Sequence, residues 1–222
     1  MKLSLSLCLL GALQFSCIAA MAADSVVVES TQTNSPAISV PTQSVPTQSV
    51  PAQSAPTEAV PFDSTPVAGR PFTIQLPDSW EVSELKAPKS HSGKEMDGGR
   101  LRALKKDGAG IAVIELTYMP RNDGGQADID SEFAAFITQL KSEYESKGLT
   151  ATASAPKTAT LSKLPSREVE IKVNGQNKEL GQWFSMAMGK HYVYALSYTG
   201  QKEFYDKFQV AFDKCRDSLV ME

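Results

Sequence analysis

The chain has few of the residues and motifs that catalytic and metal sites need. It contains only three cysteines and two histidines in 222 residues. Cys8 and Cys17 lie in an N-terminal apolar stretch, so Cys215 has no internal disulfide partner once that stretch is removed. No Cys-x-x-Cys, His-Glu-x-x-His or Gly-x-Ser-x-Gly motif accompanies His91 or His191. The sequence therefore predicts a protein that is not an enzyme, with no catalytic residue, no cofactor and no metal site.

A strong excess of one charge is also absent. The chain has 22 Lys plus Arg and 25 Asp plus Glu, and one of these cations and four of these anions precede Ala68. The remainder is balanced, which predicts no nucleic-acid partner. The charges are nevertheless unevenly distributed along the chain. A cationic run between Lys86 and Lys106 is followed by an acidic run between Asp107 and Glu132. Two interpretations stay open: a polarised surface that steers a partner, or two solvated faces.

The N-terminus has the pattern of an export signal. Lys2 precedes the mostly apolar residues 3–18, and Ala20-Met21-Ala22 is a small-x-small cleavage site. Residues 1–22 are therefore predicted to be a signal peptide, with the mature chain beginning at Ala23. The apolar run falls short of the roughly 20 residues of a spanning helix, and no other segment is apolar enough. We expect no integral membrane span after processing.

Cys17 offers a rival interpretation of the same segment. Bacterial lipoproteins are cleaved just before a cysteine that receives lipid, after a Leu-small-small pattern. Here Leu13 stands one place too early and Phe15 is bulky. The predicted localisation is periplasmic or secreted, and the alternative is a membrane-tethered lipoprotein with a lipid anchor at Cys17.

A proline-rich repeat follows the signal. The unit Val40-Pro41-Thr42-Gln43-Ser44 recurs from Val45 and, with one change, from Val50. Residues 23–67 contain a single aromatic residue and no Lys or Arg, so they bury too little apolar surface to offset the entropy of ordering. We interpret them as a disordered linker rich in Pro, Ser, Thr and Gln. A segment gripped by a partner and a glycosylated stalk are the alternatives.

Residues 68–222 have the composition and length of one globular domain. Residues 72–76 alternate like a strand, and residues 77–79 turn the chain before Trp80. Strands at 100–106 and 111–118 flank a Gly-rich turn, and strands at 167–173 and 178–188 flank Asn174-Gly175, a strong hairpin signal. Another strand is predicted at 192–199. The C-terminal half is therefore predicted to be an antiparallel meander.

Two amphipathic helices are predicted around these strands. Their apolar stripes run from Ile129 to Tyr144 and from Phe204 to Leu219 at three-to-four spacing. Asp128 or Asp130 is expected to cap the first helix, and Gly148 to end it. The strands at 178–188 and 192–199 have apolar residues on both faces, which indicates a sheet covered on both sides. The predicted fold class is α+β, with an antiparallel sheet sandwiched between helices.

This arrangement resembles the PsbP-like superfamily. The segment Phe72-Thr-Ile-Gln-Leu-Pro-Asp-Ser-Trp80 resembles its opening strand, and the mid-chain helix ending in Gly, the meander and the C-terminal helix ending near Ser218-Leu219-Val220 also match. Together with the export signal, the pattern is most similar to the DcrB-like bacterial envelope protein branch. The resemblance covers roughly residues 68–222. It implies an α/β/α sandwich that binds other proteins without catalysis, and it carries over no site residue.

The remaining candidates for a binding site are aromatic residues, which are favoured at interfaces. Five of them define the predicted partner surface, the alternative being an ordinary core between sheet and helix: Trp80, Trp183, Tyr192, Tyr194 and Tyr198. The predicted function is an exported, non-catalytic protein-binding or assembly factor of the bacterial cell envelope with a protein partner. The alternative is a periplasmic small-molecule or ion-binding carrier with a pocket between sheet and helix.

Overall fold

The computed structural model describes residues 70–86, 98–108, 110–121, 128–175 and 178–221. The predicted signal peptide, the proline-rich linker, Cys17 and His91 lie outside the described residues. Within the described part of the chain, no helix is long and apolar enough to cross a membrane.

Ten strands and two helices make up the described part of the domain. The strands are β1 (Phe72–Thr73), β2 (Glu81–Lys86), β3 (Gly99–Asp107), β4 (Gly110–Pro120), β5 (Thr150–Ala153), β6 (Lys157–Leu161), β7 (Leu164–Gly175), β8 (Lys178–Met188), β9 (Tyr192–Gln201) and β10 (Val220–Met221). Helix α1 (Ile129–Ser146) follows β4, and helix α2 (Lys202–Ser218) follows β9.

The main sheet is antiparallel, with the strand order β2-β3-β4-β9-β8-β7-β5 and with β6 also paired to β7. Both predicted hairpins are confirmed. Asp107 pairs with Gly110 across the first turn, and Gly175 pairs with Lys178 across the second. The β4–β9 pairing joins the two halves of the chain at the centre of the sheet, where Leu116 lies opposite Leu196.

Helix α1 begins and ends as its sequence predicts. The Asp128 carboxylate accepts hydrogen bonds from the Ser131 amide at 3.2 Å and from its hydroxyl at 2.9 Å, which satisfies a free donor of the first turn. Gly148 follows the helix with a φ of 71°, a conformation that favours glycine. The buried stripe packs on one face of the sheet, and the ring of Phe136 stacks on Phe184 at 4.2 Å.

Helix α2 covers the opposite face. Phe208, Phe212 and Cys215 are buried in the core that the helix forms with β3, β4, β8 and β9. The ring of Phe212 stacks on Tyr198 of β9 at 4.8 Å. The prediction of an antiparallel sheet between helices is confirmed.

The opening strand differs from the prediction. Only Phe72 and Thr73 form a β-strand, and this strand pairs with β10 in a separate two-stranded sheet. The predicted turn is present, since the Trp80 amide donates to the Pro77 carbonyl at 3.1 Å. Phe72 and Ile74 are both buried, so their alternation reflects side-chain packing into the core under α2. Strands β2, β5 and β6 are elements that the sequence pattern did not indicate.

Candidate functional site

The five aromatic residues of the predicted partner surface lie together on the α2 side of the sheet, but four of them belong to the core. These four are between 0% and 7% exposed: Trp80, Trp183, Tyr194 and Tyr198. The Tyr198 hydroxyl donates to the Tyr205 carbonyl at 2.8 Å, and the Tyr194 hydroxyl donates to the Pro71 carbonyl at 2.9 Å. The prediction of an exposed surface is wrong for these four residues because α2 and the N-terminal segment bury them. Tyr192 is partly exposed and packs edge-on against Tyr118 at 5.9 Å.

The other side of the sheet is divided into two halves. Helix α1 packs on β5, β7 and β8, and its core extends to Val193 and Ala195 of β9 and to Met119 of β4. Strand β3 contributes no residue to that core. The half of this face that belongs to β3 and β4 instead carries charged and polar side chains beside the apolar pair Leu104 and Val113.

Arg100, Arg102, Glu115 and Thr117 form this polar half, which we call the arginine face. Register brings them together, since Arg102 lies opposite Glu115 and Arg100 lies opposite Thr117 in the β3–β4 hairpin. Glu115 is only 2% exposed, and it is the only acidic residue of strand β4, which is mostly apolar. The Arg100 Nη1 donates to its Oε1 at 3.4 Å, and the Arg102 Nε lies 3.5 Å from its Oε2. One buried carboxylate is thus shared by two guanidinium groups.

The arginine face has more hydrogen-bonding capacity than its own residues use. Burial lowers the pKa of Arg100, the Glu115 carboxylate opposes that shift, and the neighbouring Arg102 reinforces it. Nε of Arg100, Nε of Arg102 and Oγ1 of Thr117 are buried and make no hydrogen bond in the described part of the chain. Each such group left unpaired costs about 1–3 kcal/mol. With two cations and one anion, the cluster is suited to an additional negatively charged acceptor.

A cavity of about 360 Å³ adjoins this cluster at the edge of the sheet, and we call it the edge cavity. Its walls come from β2, from the start of β3, from β4 and from the segment before β1: Arg70, Glu84, Leu85, Gly98, Gly99, Arg100, Leu101 and Tyr118. Gly99 makes room for the Tyr118 ring, because a Cβ at residue 99 would lie 2.8 Å from the Tyr118 hydroxyl oxygen. The Arg70 guanidinium pairs with Glu84 and lies 5.9 Å from the centre of the Phe72 ring.

The nucleophiles and metal ligands that the sequence offered are not assembled. Cys215 is fully buried, and burial raises the pKa of its thiol to about 12. His191 is exposed and directly precedes β9. Among the described residues, no three His, Cys, Asp or Glu side chains are grouped so that they can hold a metal ion.

Sequence reasoning found the cationic and acidic runs but did not join them. The signal that joins them is the hairpin itself: once the turn is placed at residues 107–110, Arg102 must face the region of Glu115. A single carboxylate in the apolar run Ile111-Ala-Val-Ile-Glu115-Leu was the second sign. Arg70 and Tyr118 carry no comparable local signal.

Comparison with solved structures shows that the fold is PsbP-like. The solution structure of cyanobacterial PsbP (CyanoP) from Synechocystis sp. PCC 6803 is similar to this chain with a TM-score of 0.50 and 12% identity, over 78% of this chain and 99% of that one. LpqN of Mycobacterium tuberculosis, whose structure is described as involved in cell envelope biogenesis, is similar with a TM-score of 0.43 and 17% identity, over 72% and 91% of the two chains.

No curated protein matches the sequence. A family model does match it, over residues 72–221, which include all described elements from β1 to β10. The chain therefore belongs to the family described as domain of unknown function DUF4946.

Proposed function

We propose that this protein is an exported, non-catalytic protein-binding or assembly factor of the bacterial cell envelope, in the DcrB-like branch of the PsbP-like superfamily. In this proposal, residues 1–22 are a cleaved signal peptide, residues 23–67 are a flexible linker, and residues 68–222 are the binding domain. The linker gives the domain reach within the envelope.

The observation that carries the proposal is the arginine face. Charged residues are almost never fully buried unless they are paired, and a buried ion pair is weak evidence for stability. Here Glu115 sits at the centre of a sheet strand, and two arginines hold it in a half of the sheet face that α1 does not cover. Such a cluster contributes more to specific recognition than to folding.

The charge of the cluster identifies the chemistry of the partner. Two guanidinium groups facing one carboxylate leave an excess of one positive charge, and Arg102 keeps 21% of its side chain exposed. A planar guanidinium binds a carboxylate through two parallel hydrogen bonds. We therefore expect an acidic segment of a partner protein to bind here.

The test is cross-linking in the periplasm with the full-length protein, exported by its own signal. Arg102→Gln removes the more exposed charge and keeps a polar side chain of similar length. Arg216→Gln is the matched control, because Arg216 is a partly exposed arginine of α2, outside the arginine face, that pairs with Asp213 and Asp217. We expect a specific cross-linked product with the wild type and the control, and its loss with Arg102→Gln. A product that persists unchanged in Arg102→Gln would refute this function for the arginine face.

The second candidate function, a periplasmic small-molecule or ion-binding carrier, is favoured by the edge cavity. This cavity lies at the sheet edge, whereas the sequence led us to expect a pocket between sheet and helix. Its volume of about 360 Å³ is at the lower end of the range of small-molecule sites. A carrier is stabilised by its ligand, so a ligand screen should raise the melting temperature. A screen without any shift would count against the carrier.

A further inference from the structure

We propose that the edge cavity is a carboxylate-binding site, in which Arg70 and Tyr118 hold the carboxylate of a ligand with a small apolar group. The carboxylate belongs either to a free organic acid or to the C-terminus of a protein chain. If the carboxylate is the C-terminus of a protein, this inference extends the proposed protein-binding function and rests on it. The affinity of the cavity for a carboxylate does not depend on that function.

Arg70 is the principal anchor of this site. Its side chain is 12% exposed, whereas that of its ion-pair partner Glu84 is 63% exposed. Glu84 contacts Nη2, while Nη1 is buried and makes no hydrogen bond in the described part of the chain. The ring of Phe72 lies beside the guanidinium and restricts its orientation. Arg70 is thus held at the cavity wall with hydrogen-bonding capacity that Glu84 does not use.

Tyr118 supplies a second donor. Its ring is fixed by edge-on contacts with Phe72 at 5.4 Å and with Tyr192 at 5.9 Å. The absence of a side chain at Gly99 lets the hydroxyl approach the β3 backbone. No described residue forms a hydrogen bond with this hydroxyl, so it is available to donate to a carboxylate oxygen.

The charge and the walls of the cavity select the ligand. Arg70 supplies the positive charge of the cavity, and its partner Glu84 is largely exposed, so that a carboxylate in the cavity can compete with Glu84 for the guanidinium. The flat guanidinium matches the two oxygens of a carboxylate. Leu85 and Leu101 line the cavity as well and give an apolar group a surface to contact.

The experiment is a titration of the full-length protein with two carboxylate probes at millimolar concentration, followed by NMR or calorimetry. One probe is N-acetyl-leucine, and the other is a five-residue peptide with a C-terminal leucine. Each probe is compared with its C-terminal amide, and inorganic phosphate tests for general anion binding. Arg70→Gln and Tyr118→Phe are the site variants, and Arg216→Gln is the control.

We expect saturable binding of an acid and no binding of its amide. Arg70→Gln should weaken binding about 10- to 100-fold, because it removes a charged hydrogen-bond donor. Tyr118→Phe should weaken it about 2- to 10-fold, and Arg216→Gln should leave it unchanged. Binding of both acids supports a general carboxylate site, and binding of the peptide acid alone supports a protein C-terminus as the source.

Binding of neither acid, equal binding of the amides, or equally tight binding of phosphate would overturn the proposal. These titrations contain no protein partner. A negative result would therefore not contradict a partner cross-linked through the arginine face. Conversely, if the cross-linked product persists unchanged in Arg102→Gln, a measured affinity of the edge cavity for carboxylates still stands.

Discussion

The two faces of the central sheet carry different kinds of residue. The α2 face is aromatic and apolar from β3 to β8, and its aromatic rings stack continuously from Tyr205 through Tyr198 to Phe212. The core on the α1 face lies under its helix, on β5, β7, β8 and the adjoining residues of β4 and β9. The arginine face lies on this same side of the sheet, on β3 and β4.

Under the proposed function, this difference separates residues that serve folding from residues that serve binding. An aromatic side chain sealed under a helix contributes to stability through burial and packing. A carboxylate sealed between two arginines recovers at best the cost of its own desolvation. Substitutions on the two sides should therefore affect stability and partner binding in different proportions.

The largest effect on stability is expected in the two helix-covered cores. Phe212→Ala and Phe136→Ala each remove a fully buried, stacked ring, and each should lower the free energy of unfolding by about 3–5 kcal/mol. Urea unfolding measures this change. Val210→Ala, at a half-exposed position of α2, is the control and should change it little. Equal effects of Phe212→Ala and Val210→Ala would contradict the assigned core.

A smaller loss is expected when the arginine face is broken on one side only. Glu115→Gln leaves two partly buried guanidinium groups without their carboxylate, and it should destabilise the domain by about 3 kcal/mol. Asp206→Asn breaks the exposed Lys202–Asp206 pair and should have almost no effect. Urea unfolding of the two variants side by side distinguishes them, and similar small losses in both would show that Glu115 is not a buried partner.

The smallest effect concerns the exposed start of α1. Hydrogen bonds from the Ser131 hydroxyl and amide lower the pKa of Asp128, and the Asp130 amide and the charge of Arg167 add to this shift. A lowered pKa in the folded state gives stability that is present above the unfolded value of 3.8 and is lost as the pH falls through the folded value. Asp128→Asn keeps a capping side chain without the charge, whereas Asp128→Ala removes the cap.

Melting temperatures between about pH 7 and about pH 2 test this contribution. At neutral pH Asp128→Ala should melt below the wild type, and Asp128→Asn should lie close to it. Below about pH 4 the wild type should lose stability relative to Asp128→Asn. A difference that does not change with pH would argue against a charged cap at this helix.

Sequence reasoning predicted the elements whose signals are local. The turn at Gly108, the second hairpin, the two helical stripes and the two-sided apolar strands were all confirmed. The predicted turn residues Asn174 and Gly175 instead lie at the end of β7, where they pair with Glu179 and Lys178. Sequence reasoning did not predict the β1–β10 pairing, because two-residue strands have no periodicity and their partners lie at opposite ends of the domain.

The candidate site was harder to predict for a related reason. The sequence predicted a binding surface of aromatic residues, but two of them, Trp183 and Tyr198, fill the core under α2. The arginine face depends on the register of one hairpin, which brings Arg102 of the cationic run against Glu115 of the acidic run. The edge cavity depends on Arg70, which lies far from β3 in the sequence and which no local pattern connects to it.

The most direct test of the account is to replace the arginine face with apolar side chains of similar size. In the variant Arg100→Met, Arg102→Met, Glu115→Leu, the free energy of unfolding and the periplasmic cross-linked product are measured together. We predict a domain as stable as the wild type, or more stable by about 1–4 kcal/mol, that has lost its cross-linked partner. A variant that is several kcal/mol less stable, or one that still cross-links to the same partner, would contradict the claim that these residues are kept for binding.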